Sequence, residues 1–523
     1  MAEPLGTTGA TVQRQRDYDG GYVGLRVGPG EPHTVRAELG GAGTWTPRAR
    51  LLSLLHITDF QLADLLSPSR TEFLQRFDGD PRWQRMLPAY RPQEFLQLQA
   101  LVTVAATARA VAASHPVDLL VTTGDNTDSA QFNEVQAYLT ALDGGPIDPA
   151  ELGVAHPASP SGGTDPSYWH PRPGSSDAWA AKGLPEADGA LEAARRRFPS
   201  PGVGVPWLSV YGNHDCLLQG RAPFPAGYDD FLTGAGKPVL PPADYLPERD
   251  SMLDYLADPW VTTTGVRAEI PADPGRRSLT KAEHVAAHFR PGAVPDGHGY
   301  TADNVAAGTA YYIWDGVPGV RLISLDTTNP AGDVNGCVDD AQFRWLEQRL
   351  AEVGEGSDDP RLVVLLSHHG LSTLDNPTGG DPSVHLADDV RALLHRYPQA
   401  VLWLSGHIHV NTVVPRPGPD GGGFWEVTTS AVAEWPVQLR HVALELAAEG
   451  AVITVTMIDS AAPVDWQLNS VEGLAGLHRE VAANDPGSVG GIHAEGGAED
   501  RNVVLRVPLP AGLTDALPVP GRD

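Results

Sequence analysis

The sequence predicts an α/β fold, a parallel or mixed β-sheet flanked by helices, and three observations carry that expectation. Short apolar runs recur at strand length, separated by stretches with helical apolar spacing. The order strand, helix, strand is that of a βαβ unit. Five of the apolar runs end in a short cluster of Asp, Asn, Gln or His, and strand C-terminal ends are where open α/β sheets place their sites.

Residues 1–50 are Gly-rich with short β-like pieces at 22–27 and 33–39, and read as a β-rich arm. The run 51–57 leads into Asp59-Phe60-Gln61. Residues 92–114 carry an apolar stripe (Phe95, Leu98, Leu101, Val102, Ala105) at helical spacing, followed by the run 117–121 and Gly124-Asp125-Asn126-Thr127-Asp128. Residues 143–200, rich in Gly, Pro, Ser and Asp, break the pattern as a lid-like or partly disordered insertion. The run 207–211 ends in Gly212-Asn213-His214-Asp215, and a second insertion, 217–310, includes a helical stretch at 281–289.

Strands at 309–314 and 320–325 are joined by a turn, and a helix at 340–353 leads to the run 362–366 and His368-His369. The run 401–404 ends in Gly406-His407-Ile408-His409. Antiparallel strands follow at 423–429, 441–447 and 451–458, then a loop-rich tail with one strand at 502–507. The expected organisation is an arm (1–50), a catalytic domain (51–460, with insertions at about 143–200 and 217–310) and a C-terminal extension (461–523).

The 523 residues carry a formal charge of −28, with 34 Arg against 3 Lys. That acidity works against nucleic-acid binding, which needs a basic footprint. It also repels anionic substrates unless a local cationic centre reverses the field. Two cysteines, Cys216 and Cys337, make no disulfide framework. No unbroken apolar run approaches the roughly 18 residues of a membrane span, so no membrane partner is expected. The N-terminus, Met1-Ala2-Glu3-Pro4, lacks the order of a signal peptide. The chain as written is therefore expected to be cytoplasmic, or exported with a leader outside this sequence.

Taken alone, each cluster can be an ordinary turn. Five in order, each after an apolar run, point to one metal centre. Carboxylates, amide oxygens and imidazoles suit Mn, Fe or Zn, with Mg as a further option, and no thiolate set favours a softer ion. The pattern Asp-x-Gln, Gly-Asp-x-x-Asp, Gly-Asn-His-Asp, His, Gly-His-x-His resembles the calcineurin-like metallophosphoesterase superfamily over residues 51–458. Residues 67–73 and 325–330 are similar to an actinobacterial-type subgroup with Asp-x-Gln in the first motif.

The resemblance implies two mixed β-sheets packed as a sandwich and flanked by helices, an α+β four-layer fold. It also implies two divalent or trivalent ions bridged by Asp125, and no organic cofactor. One ion takes Asp59, the residue at position 61 and His409; the other takes Asn213, His368 and His407. His369 is expected as a neighbour. Metal-bound hydroxide is the implied nucleophile, with His214 stabilising charge or protonating the leaving oxygen and Asp215 holding His214 in its tautomer.

Position 61 departs from the pattern, which has His there. Gln61 coordinates, or Asp128 fills the place, or the first site is weak with Gln61 turned away; coordination by Gln61 is the favoured expectation. His298, Arg70 and Glu72 are further pocket candidates, and Glu434 falls close to the site. The expected activity is hydrolysis of a small-molecule phosphate ester, monoester or diester. Pyrophosphate-bond cleavage in a nucleotide and a non-catalytic scaffold with a decayed first metal site are the alternatives. Oligomeric state is not indicated.

Overall fold

Strands buried on both faces read as continuous apolar runs, and here such runs assemble into two large sheets. The computed structural model describes residues 6–247, 250–379, 384–419 and 421–518. The first sheet has seven strands, ordered Thr34–Arg36, Val503–Pro508, Gly450–Asp459, Gln438–Leu446, Ala49–Ile57, Leu119–Thr122 and Trp207–Ser209. The second has six, ordered Tyr312–Val317, Val320–Ser324, Leu362–Leu366, Ala400–Ser405, Gly423–Thr428 and Thr412–Pro417.

Each sheet contains a parallel block. Ala49–Ile57 pairs with Leu119–Thr122, which pairs with Trp207–Ser209. In the second sheet Val320–Ser324, Leu362–Leu366, Ala400–Ser405 and Gly423–Thr428 run parallel in turn. All five polar clusters follow strands of these blocks, so they gather at one edge of the sandwich.

Alternate side chains go to opposite faces. Leu54, Val121, Leu208, Val364, Leu402 and Val427 meet in the seam between the sheets. Leu55, Ile57 and Leu120 face outward onto the helices Gln97–Ser114 and Phe132–Asp143. Ile323, Val363, Leu365 and Trp403 face the other way, onto Asp340–Ala351 and Ala387–Leu394. The architecture is thus a mixed α/β sandwich with helices on both outer faces. The helix Gln97–Ser114 is apolar enough in composition to pass for a membrane span, but it is buried between the first sheet and Val471–Ala482.

The structure adds two pairings to the expected organisation and corrects one reading, that of 143–200 as a lid-like or partly disordered insertion. The arm and the C-terminal extension supply sheet strands: Thr34–Arg36 pairs in parallel with Val503–Pro508, which in turn pairs with Gly450–Asp459. Gly423–Thr428 pairs in parallel with Ala400–Ser405 as well as antiparallel with Thr412–Pro417. The 143–200 insertion is an ordered flank, with Tyr168, Trp169, Trp179 and Leu191 packed on Leu477 and Val481.

Candidate metal centre

The strand ends converge because the backbone there bends sharply. Asp59, Gln61, Asp125, His407 and His409 all have positive φ, between 42° and 72°. L-residues pay roughly 1–2 kcal/mol for that conformation, and such strain clusters at functional sites. Gly124 (φ +90°) lets the loops meet, since a Cβ there would lie 2.9 Å from Gly212 Cα and from His368 Nδ1.

Donor atoms gather around His368: those of Asp59, Asp125 and His368, and those of His368, His369 and His407, each lie within 4.8 Å of one another. His368 Nδ1–H donates to the Thr123 carbonyl at 2.8 Å, so Nε2 carries the lone pair. His407 Nε2–H donates to Asn335 Oδ1 at 3.2 Å, which leaves Nδ1 as its lone-pair nitrogen. His368 Nε2 lies 3.2 Å from Asp125 Oδ1 and 3.2 Å from His407 Nδ1. Asn213 Nδ2 donates to the Gly220 carbonyl at 2.9 Å, and its buried Oδ1 has no hydrogen-bond partner among the described residues. Atoms about 2.1 Å from one ion lie roughly 3.0 Å apart at an octahedral edge and 3.4 Å apart at a tetrahedral one. His368 is thus spaced to share a cation with Asp125 and with His407, and Asn213 lines the same cleft.

Charge agrees with geometry. Burial opposes protonation of His368, yet the Asp125 carboxylate raises it to about 9; burial likewise opposes His409, which Glu434 and Asp59 raise to about 10. The carboxylates draw positive charge into the cluster, and a cation satisfies the same demand.

His369 belongs to the support. Its Nε2 donates to the Val334 carbonyl at 3.0 Å, its Nδ1 accepts from Thr327 Oγ1 at 2.9 Å, and its ring packs 4.3 Å from that of His407. The first expected metal position is less complete. Asp59 Oδ1 lies 3.2 Å from His409 Nε2, and His409 Nδ1 lies 3.0 Å from Glu434 Oε2, both ion-pair distances off the line of a hydrogen bond.

Gln61 does not behave as the expected ligand. Its Oε1 accepts from Arg91 Nη2, and its Nε2 donates to Asp125 Oδ2 at 3.2 Å. Arg91 has only donors, so the amide orientation follows from its partner. Asp128 lines the cleft, with its Oδ2 paired to Arg70 at 3.1 Å and accepting from Gln219 Nε2 at 3.3 Å.

Asp215 does not hold His214. It accepts from Gly212 N at 3.0 Å, Asn126 N and Nδ2 at 3.1 Å, and Thr127 N and Oγ1 at 3.0 Å, tying together two loops. A side chain so occupied cannot also reach the neighbouring ring. His298 is likewise away from the site, fully buried, stacked on Trp207 at 3.7 Å and bonded to Asp143 Oδ1 at 3.0 Å.

A cleft of about 360 Å³ opens over Asp125, Asn213, His214 and His407. Its walls come from 88–91, Glu94, Asn335, Thr373 and Val489, with only Gln219 and Arg221 from the long insertions. Of the arginines lining it, Arg70 meets Glu94 at 2.6 Å and Arg91 meets Glu434 at 2.8 Å. Arg221 donates to the Met86 and Pro88 carbonyls at 3.3 and 3.5 Å and has no carboxylate partner among the described residues. Glu72 lies deeper, paired with Lys237. Sequence reasoning missed Arg91 and Arg221, which stand in no motif; an Arg in a Pro-rich stretch carries no signal of its own.

No protein-family profile matches the chain, and no curated protein matches it. Among solved structures, GAP50, the anchor in the inner membrane complex of Plasmodium, is similar over 79% of this chain and 85% of its own, with 10% identity and a TM-score of 0.32. That likeness is too loose to bear on the site.

Proposed function

We propose that the protein is a metal-dependent hydrolase of phosphate esters, built on a fold of the metallophosphoesterase type. The observation that carries this reading is the convergence of lone pairs from Asp125, His368 and His407, with the orphaned Asn213 oxygen, at the floor of a cleft holding arginines. A divalent cation held there supplies Lewis acidity toward a phosphoryl oxygen and toward water. The protein's own groups do the rest. His214 Nδ1–H is committed to the Asp128 carbonyl at 2.8 Å, so in the neutral ring Nε2 carries the lone pair; it can take a proton from water and, once protonated, pass that proton to the leaving oxygen. Arg91 and Arg221 offset the chain's net negative charge locally and orient the anion.

The test is elemental analysis of the purified protein, alongside turnover of a chromogenic aryl phosphate and its diester with Mn, Fe, Zn or Mg supplied. Bound metal with turnover of either ester is the expected result. Absence of both metal and turnover would overturn the reading.

A further inference from the structure

We infer that this chain holds one divalent cation, at Asp125, Asn213, His368 and His407, and that the Arg91 guanidinium is the fixed second positive charge of the site. The inference rests on the proposed phosphoesterase reading and refines its metal content.

Three observations lead there. The first is the locked amide of Gln61. Rotating it by half a turn would set its NH₂ against the Arg91 guanidinium, donor against donor. Its carbonyl oxygen therefore stays with Arg91, and its NH₂ covers Asp125 Oδ2, the oxygen a bridging carboxylate would offer to a second ion.

The second is the donor set that remains. Asp59 Oδ2 already accepts from Thr58 Oγ1 at 2.7 Å and from His407 N at 3.1 Å. Asp59 Oδ1 and His409 Nε2 are left, 3.2 Å apart. With Gln61 turned to Arg91 and Asp125 Oδ2 covered, the two side chains Asp59 and His409 fall short of the three or more protein ligands that hold a zinc-like ion.

The third is the anchoring of Arg91. Glu434 Oε1 receives its Nε at 2.8 Å, while Glu434 itself accepts from Val489 N and Gly490 N at 3.2 Å. The same carboxylate lies 3.0 Å from His409 Nδ1, so Glu434 joins the guanidinium to the first-site histidine. Nη1 of Arg91 has no hydrogen-bond partner among the described residues, and the side chain lines the cleft. A guanidinium stays charged at any working pH and presents planar donors to phosphate oxygens. It can neutralise and orient a phosphate ester without exchanging with solvent, as a weakly held ion would.

Binding stoichiometry of Mn²⁺ on the full chain, read by titration calorimetry and elemental analysis, separates the outcomes. One equivalent is expected, located by anomalous scattering at Asp125–His407. Two equivalents would overturn the inference and leave the phosphoesterase reading standing. None would overturn both, and one ion at Asp59–His409 would also overturn this assignment. The pair Gln61→His with Arg91→Met should raise the count to two; if that variant does not fold, wild-type stoichiometry decides. Arg91→Ala should retain one equivalent and lose at least about tenfold in kcat/KM, whereas unchanged kcat/KM would remove Arg91 from the site.

Discussion

His214 Nδ1–H donates to the main-chain carbonyl of Asp128 at 2.8 Å, so the ring's other nitrogen is the one turned to the cleft, 3.9 Å from Asp125 Oδ2. A carbonyl fixes the tautomer as firmly as a carboxylate would, without adding charge. His214→Ala should therefore lower kcat by about 10²-fold or more with metal content unchanged. Loss of metal in this variant would instead make His214 part of the ion's support.

Asp215 predicts the opposite pattern. Asp215→Ala leaves buried donors of Gly212, Asn126 and Thr127 unmet, at about 1–3 kcal/mol each. The urea midpoint should fall by an amount equivalent to several kcal/mol, with activity failing through instability. A stable Asp215→Ala protein with a selectively altered pH–rate profile would return Asp215 to a catalytic role.

Arg221 is a half-buried cation whose only hydrogen-bond partners among the described residues are two carbonyls, and desolvation pushes its pKa down. An anionic ligand in the cleft would complete its pairing. Arg221→Leu should raise KM for an aryl phosphate about tenfold or more, consistent with one lost charge-assisted bond, with partial rescue by Arg221→Lys. Equal KM in wild type and variant would show that Arg221 is structural.

Stability should fall in mild acid through buried histidines that are not among the proposed ligands. Burial pushes His284 and His478 down to about 3, and His284 lies edge-on to Tyr211 with neither ring nitrogen hydrogen-bonded among the described residues. Between pH 6.5 and 3 the unfolded chain binds more protons than the folded one, so stability is full above 6.5 and declines as pH falls through that window. The slope is on the order of 1 kcal/mol per pH unit per ring. Urea midpoints at pH 7 and 5 should differ, and His284→Phe should shrink the difference; an unchanged difference would mean His284 is solvated.

The positions of the proposed ligands were legible because buried strands advertise themselves as apolar runs and their ends carry polar clusters. Asp59, Asp125, His368 and His407 fall at those ends, where their donor atoms gather, and Asn213 and His409 line the adjoining cleft. Adjacency misled at Asp215, since a neighbour in sequence is aimed elsewhere once its oxygens are taken by a facing loop. Gln61 could not be oriented from sequence, because its direction depends on Arg91, 30 residues away in a stretch without a motif. The division into two sheets was equally hidden from local pattern. The strand 438–446 returns to pair with Ala49–Ile57 after the whole second sheet has been built.

The first sheet supplies Asp125 and Asn213 to the centre, and the second supplies His368 and His407. The donor set is therefore a vernier between two independently hydrogen-bonded slabs, whose relative position is held by side chains such as Leu54, Val121, Val364 and Leu402 in the apolar seam. Close-packed interiors transmit strain, and a displacement near 1 Å at a reacting centre costs roughly 10²-fold in rate. Remote changes of volume in that seam should therefore be felt at the proposed centre.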